Sequence, residues 1–140
     1  MSISKVAHAT QTFRSSLEEA WSGYRRQEQE LVQACAPALE EVGLLLQSLA
    51  LIVSEVTGEP ATVGETASAF HVESHDLVVL HCIQHSSGTF HIRLRFKADR
   101  VEYNRERIKL AEVSSLLDRI VRDALNHFSP RHVKSKASAA

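Results

Sequence analysis

Apolar residues recur at helical spacing over the first 57 positions, and beyond residue 67 the pattern switches to alternation. Val42, Leu46, Leu49, Val53 and Val56 alternate four and three apart, which draws one continuous stripe on a 3.6-residue helix. Leu44, Leu45, Leu51 and Ile52 lie off that stripe, so this helix needs cover on more than one side. Its uninterrupted part, Val42 to Val53, carries Gln47 and Ser48, and it falls short of the about 20 apolar residues that a bilayer span requires. Upstream, a heptad runs Val6, Thr10, Phe13, Leu17, Ala20, Tyr24, Gln27, Leu31, Ala34, Ala38, with Trp21 beside it. The seam is soft, and Glu18, Glu19, Arg25, Arg26, Glu28 and Glu30 form its solvated back.

Pro37 interrupts the heptad. Because proline costs a helix interior about 3 kcal/mol but suits a first helical position, Ala36–Pro37 begins a second helix or bends a single one. Gly58 and Pro60 end the helical part near Thr57, and residues 58–67 read as a linker with a short extended piece at Ala61 to Val63.

Four segments then read as strands: Ser68 to Glu73, Leu77 to His85, Phe90 to Lys97 and Val101 to Arg107. In the third, Phe90, Ile92, Leu94 and Phe96 face a core while His91, Arg93, Arg95 and Lys97 face away. Tight turns at Ser87-Gly88 and Ala98-Asp99 imply an antiparallel meander. That register sets Arg95 opposite Leu80, Arg93 opposite Cys82 and His91 opposite Gln84 across the first hairpin. Across the second it sets Phe96 opposite Val101, Leu94 opposite Tyr103, Arg95 opposite Glu102, Arg93 opposite Asn104 and His91 opposite Glu106. Leu77 to Leu80 is apolar on both faces, as in a central, covered strand. A last helix from Leu110 to Phe128 presents a broad apolar face of Val113, Leu116, Leu117, Ile120, Val121, Ala124, Leu125 and Phe128, with Asp118–Arg122 and Arg119–Asp123 as i, i+4 pairs on its exposed side.

The fold class is therefore α+β, in a single domain over residues 1–128. Residues 1–57 are a long helical segment (one bent or two helices), residues 68–107 a four-stranded antiparallel meander, and residues 110–128 a C-terminal helix packed on the sheet. Residues 129–140 read as a basic, disordered tail.

An apolar content of 44% and a charged content of 24% match a soluble protein and argue against wholesale disorder and membrane residence. The first ten residues hold no apolar run before a cleavage site, which predicts a cytoplasmic, reducing setting. Cys35 and Cys82 fit no disulfide framework. The net charge of −1 hides an asymmetry. Residues 1–65 carry four Lys and Arg against nine Glu, a balance of −5, and residues 66–140 carry twelve against eight acids, a balance of +4. Either the halves face one another, within a chain or across a dimer, or the basic half meets a polyanion.

Catalytic signatures are missing from the pattern. There is no Gly-x-Ser-x-Gly elbow, phosphate loop or dinucleotide fingerprint, and Ser86-Ser87 sits in a turn with only His85 nearby as a base. A non-enzyme without a cofactor is the reading. Five histidines lie between His71 and His91, but His81 and His85 stand about 13 Å apart along a strand, too far to share a metal. The predicted register does bring Cys82, His91 and Glu106 to one face, a sulfur, a nitrogen and an oxygen without a fourth ligand. Ordinary hydrogen-bonded strand residues account for them as well, so no metal is assigned.

Two binding readings remain. Val78 and Leu80, bordered by Arg93, Arg95 and Lys97, form an apolar strip edged with cations, the composition of a protein interface. This reading makes the chain a non-catalytic protein-binding module, an adaptor, chaperone or inhibitor of another protein, and a homodimer through its N-terminal helices. In the alternative, Arg93, Arg95, Lys97, Arg105 and Arg107, extended by Arg131, Lys134 and Lys136 of the tail, neutralise nucleic-acid phosphates. Acidic neighbours and the lack of interleaved aromatic residues place that alternative second.

Overall fold

The computed structural model describes residues 3–64 and 67–129. A helix, α1 (Ile3–Thr57), is followed by β1 (Ala61–Val63), β2 (Ala67–His71), β3 (Asp76–His85), β4 (Gly88–Phe96), β5 (Arg100–Tyr103) and β6 (Glu106–Lys109). A 3₁₀ turn, Leu110–Glu112, then leads into α2 (Val113–His127). The architecture is α+β, with both helices on one face of an antiparallel sheet. The calls on the tail, Arg131, Lys134 and Lys136 among them, lie outside the described residues.

Residues 3–57 form one continuous helix of 55 residues, with Pro37 inside it. The reason lies in where Pro37 falls on the helix. Its neighbours Cys35 and Ala38 are buried in the core, whereas Pro37 is exposed, so the hydrogen bond that proline cannot donate is missing on the solvent side of the helix. Packing on one side thus carries the helix past a proline on the other. At the C-terminus Gly58, at φ 75°, donates its amide to the Ser54 carbonyl at 3.0 Å, the left-handed cap that the sequence predicts. Because Pro37 does not break the helix, the apolar run extends upstream and is long and apolar enough, by length and composition, to cross a membrane, contrary to the estimate from Val42 to Val53. Its Val42, Leu46 and Ala50 are instead sealed against the rest of the fold.

The sheet has six strands where the alternation predicts four, in the order β1-β3-β4-β5-β6, with β2 also paired to β3. Two differences produce the extra strands. The segment Val101 to Arg107 is a hairpin, turning at Asn104 and Arg105. The short piece Ala61–Val63 pairs with Ile83 to His85, while β2 pairs with Asp76 to Leu80, so one edge of β3 is lined by two pieces of chain.

Register follows from the turns. The second hairpin pairs Phe96 with Val101 and Arg95 with Glu102 as predicted, but the chain turns away after Tyr103. The expected pairs Arg93–Asn104 and His91–Glu106 therefore do not form. In the first hairpin Ser86 and Ser87 make the turn, so Val78 stands opposite Arg95, Leu80 opposite Arg93 and Cys82 opposite His91. Gly88 takes a φ of 148°, open to glycine, just after the turn instead of inside it. Moving the turn by one residue shifts each partner by two, which changes the pairs and preserves the faces.

The core lies between the sheet and the helices. Leu31, Val42 and Leu46 of α1 and Leu116 and Ile120 of α2 meet Ile83, Ile92, Leu94 and Phe96. The surface pair expected between Arg119 and Asp123 gives way to longer-range contacts, because Arg119 pairs with Glu106 of β6 and Asp123 accepts the Tyr103 hydroxyl at 2.6 Å.

Between β1 and β2, Gly64 donates its amide to the Cys82 carbonyl at 2.7 Å, and a methyl group there would lie 2.0 Å from Cys82 Sγ. Gly64→Ala is expected to destabilise the fold by about 1–3 kcal/mol, the usual cost of overpacking. Adding Cys82→Ala should recover most of that loss in urea unfolding, and equal losses in the single and double variants would contradict the contact.

Candidate functional site

The sheet face away from the helices carries the residues that the sequence nominates for binding. Val78 is 6% exposed and Leu80 46% exposed, so the predicted strip opens only at Leu80. Val78 is flanked by Ala69 of β2 on one side and Arg95 of β4 on the other. Arg95 is held in turn. Its Nε lies 3.6 Å from Oδ2 of Asp76, a carboxylate only 1% exposed whose Oδ1 meets His71 Nδ1 at 2.7 Å. Burial pushes the Asp76 carboxyl up, but hydrogen bonds from His71 and Ser74 and the Arg95 charge outweigh it and hold the group below its ordinary 3.8. Lys97 is also committed locally, donating to the Ser74 carbonyl at 3.3 Å.

The arginines converge where the β5–β6 hairpin curls beside β4. Arg93, Arg95, Arg105 and Arg107 line an open cavity of about 390 Å³ together with Glu102, Tyr103 and Asn104. Glu102 Oε1 lies 3.2 Å from Arg107 Nε and 3.6 Å from Arg100 Nε. Arg93 and Arg105 make no ion pair among the described residues, and Arg93 is exposed. Arg105 also occupies φ 73° and Asn104 φ 46°. Glycine ordinarily takes such a turn position, and a residue with a Cβ gives up about 1 kcal/mol there.

The possible metal set is not assembled. Cys82 and His91 are directly opposed, but Glu106 sits on β6 paired with Tyr103 and bound to Arg119, because the hairpin carries it away. No cluster of three potential ligands occurs among the described residues. His81 stands opposite Ile92, on the core side of the sheet, and burial lowers its pKa below the ordinary 6.5. His85 is a staple between elements. Its Nε2 lies 2.9 Å from Thr57 Oγ1 at the end of α1, its Nδ1 lies 2.7 Å from Ser87 Oγ, and Phe128 stacks edge-on at 5.8 Å. That places Ser87 beside a base whose side chain is 2% exposed and whose other nitrogen is engaged.

An apolar groove is the feature that sequence pattern misses. Leu49, Ile52, Val53 and Val56 of α1 face Leu125 and Phe128 across a cleft of about 360 Å³. Val56 is 79% and Leu125 66% exposed. Alternation and helical periodicity each describe one element, and the groove arises only where the ends of two helices meet. The off-stripe position of Ile52 is its one trace in the sequence.

Comparison with protein-family models, with curated proteins and with solved structures gives no match. What the chain does is therefore argued from these surfaces.

His81 and Asp76 predict how stability depends on pH below neutrality. Core burial withholds a proton from His81, so the unfolded chain takes it up first and stability falls as the pH drops below 6.5. Asp76, held low, contributes above 3.8 and loses its contribution as the pH falls further. Urea midpoints should show that His81→Leu flattens the decline between about pH 7 and 5.5 while Asp76→Asn flattens the one below about pH 4. A His81→Leu slope equal to that of the wild type in the upper window would contradict the assignment.

Proposed function

We propose that the protein is a non-catalytic binding module that occupies the surface of another protein and associates with itself through α1. The observation that carries this reading is apolar surface that the chain's own elements leave uncovered. Leu44, Leu51, Ile52 and Val56 on α1, Leu125 on α2 and Leu80 on the sheet all remain exposed. Scattered single residues of this kind are ordinary, but Ile52, Val56 and Leu125 line one groove, and contiguous apolar patches mark interaction sites. Arginines bordering Leu80 extend the surface on the opposite side of the sheet and would steer an acidic partner. Such a module works as an adaptor, chaperone or inhibitor in the cytoplasm by covering its partner. The histidines support this reading, because His81 lies on the core side and His85 is spent on a staple.

A second reading, nucleic-acid binding, is favoured by the arginine-lined cavity and by the strained backbone that holds Arg105 at its edge. Two variants separate the readings. Val56→Asp/Leu125→Asp changes the groove alone, and Arg93→Glu/Arg105→Glu changes the cavity while sparing Arg95 and its buried partner. For a protein-binding module, the groove variant loses a partner captured from native cells, and retention of the wild type on DNA or heparin is weak and shallow in salt. A steep salt dependence, abolished by Arg93→Glu/Arg105→Glu and untouched by the groove variant, would make nucleic acid the target.

A further inference from the structure

Leu31, Cys35, Ala38, Val42, Leu46 and Ala50 form the buried face of α1. Followed back at 3.6 residues per turn, the same face carries Tyr24, Leu17, Phe13 and Val6, with Trp21 and Ile3 at its margin. All six are exposed, Phe13 at 68% and Trp21 at 59%. The sheet ends near Leu31, and the apolar stripe continues for about 28 residues, roughly 42 Å at 1.5 Å per residue.

We propose that this arm is closed by the same face of a second copy, packed antiparallel in a two-fold dimer. The proposal rests on the self-association reading above and supplies its orientation and register. Charge permits the pairing. Over residues 3–30, Lys5, Arg14, Arg25 and Arg26 balance Glu18, Glu19, Glu28 and Glu30, and of these only Glu28, seven residues before Cys35, falls on the stripe. The position of the sheet selects the direction. A parallel partner, continued past Tyr24, would run into the space beside Leu31 to Ala50 that the sheet and α2 already fill, and its own sheet would need that same space. An antiparallel partner puts the two sheets at opposite ends of the paired arms.

The spacing of the apolar residues then fixes the register. Overlap of residues 3–27, in which i lies opposite 30 − i, sets Phe13 against Leu17 and Val6 against Tyr24, each pair occurring twice about the two-fold axis. On one flank Ala9, Ser16 and Gly23 recur every seventh residue, so small side chains face each other there, Ala9 to Gly23 and Ser16 to its own symmetry mate. Six large side chains from each chain, at about 100 Å² apiece, bury about 1,200 Å², the lower bound for a stable association.

The test uses the full chain. Light scattering should give twice the 15.6 kDa chain mass, and Phe13→Asp/Leu17→Asp should return it to one chain with the sheet intact by circular dichroism. Single cysteine variants then read the direction under mild oxidation, with the wild type controlling for Cys35 and Cys82. Ser16→Cys is expected to link to itself, whereas Ala9→Cys and Gly23→Cys should link only after the two proteins are mixed and exchanged. Self-linking of Ala9→Cys and of Gly23→Cys with no gain on mixing would overturn the antiparallel arrangement and leave the dimer standing. A wild-type mass of one chain at high protein concentration would overturn both.

Discussion

One apolar stripe runs the length of α1, and the sheet is long enough to cover only its second half. Hydrophobic burial is proportional to area removed from water, so the covered half, Leu31 to Ala50, anchors the helix to the sheet and α2. That anchorage carries the helix through Pro37, since the buried neighbours Cys35 and Ala38 hold their places while the proline faces solvent. It also fixes what remains unmet. Among the described residues nothing covers the stripe's first half, and the back and far end leave Leu44, Leu51, Ile52 and Val56 in water. The proposed association rests on this mismatch of lengths more than on any single motif.

Electrostatics divides the molecule differently from the simple opposition of an acidic and a basic half. The sheet's arginines find their partners among nearby acids, Asp76, Asp99 and Glu102, while Glu106 pairs with Arg119 of α2. Glu18, Glu19, Glu28 and Glu30 belong to the projecting arm. Among the described residues, the sheet-side arginines without an ion pair are Arg93 and Arg105, both at the cavity. Asp76 is central to this arrangement, because one buried carboxylate fixes both His71 and Arg95 and so decides which guanidinium groups stay available to a ligand.

Much of this was legible from periodicity. The unbroken alternation of Phe90 to Lys97 identifies β4 and its two faces, and the short Ala98-Asp99 turn places Arg95 opposite Glu102, because a two-residue loop leaves one register open. Gly58 and Pro60 mark the end of α1 for equally local reasons. Features that depend on distant parts of the chain were not legible. Asn104 and Arg105 form a turn that sequence preference assigns to glycine, and tertiary packing stabilises it through Tyr103 on Asp123 and Glu106 on Arg119. Pro37 looks like a break until its exposed position is known, and the groove between α1 and α2 belongs to neither helix alone. The candidate site was legible in its arginines, less so in Val78, whose cover comes from β2 pairing along the edge of β3.

The most direct measurement is hydrogen exchange along α1 as a function of protein concentration. Amides from Leu31 to Thr57 should be protected at every concentration, since the sheet and α2 hold them. Those from Val6 to Tyr24 should exchange quickly in dilute solution and become protected as concentration rises, because an isolated amphipathic helix gains its stability from packing. Arm amides that stay protected to the same degree on dilution, or stay unprotected in concentrated solution, would contradict the account.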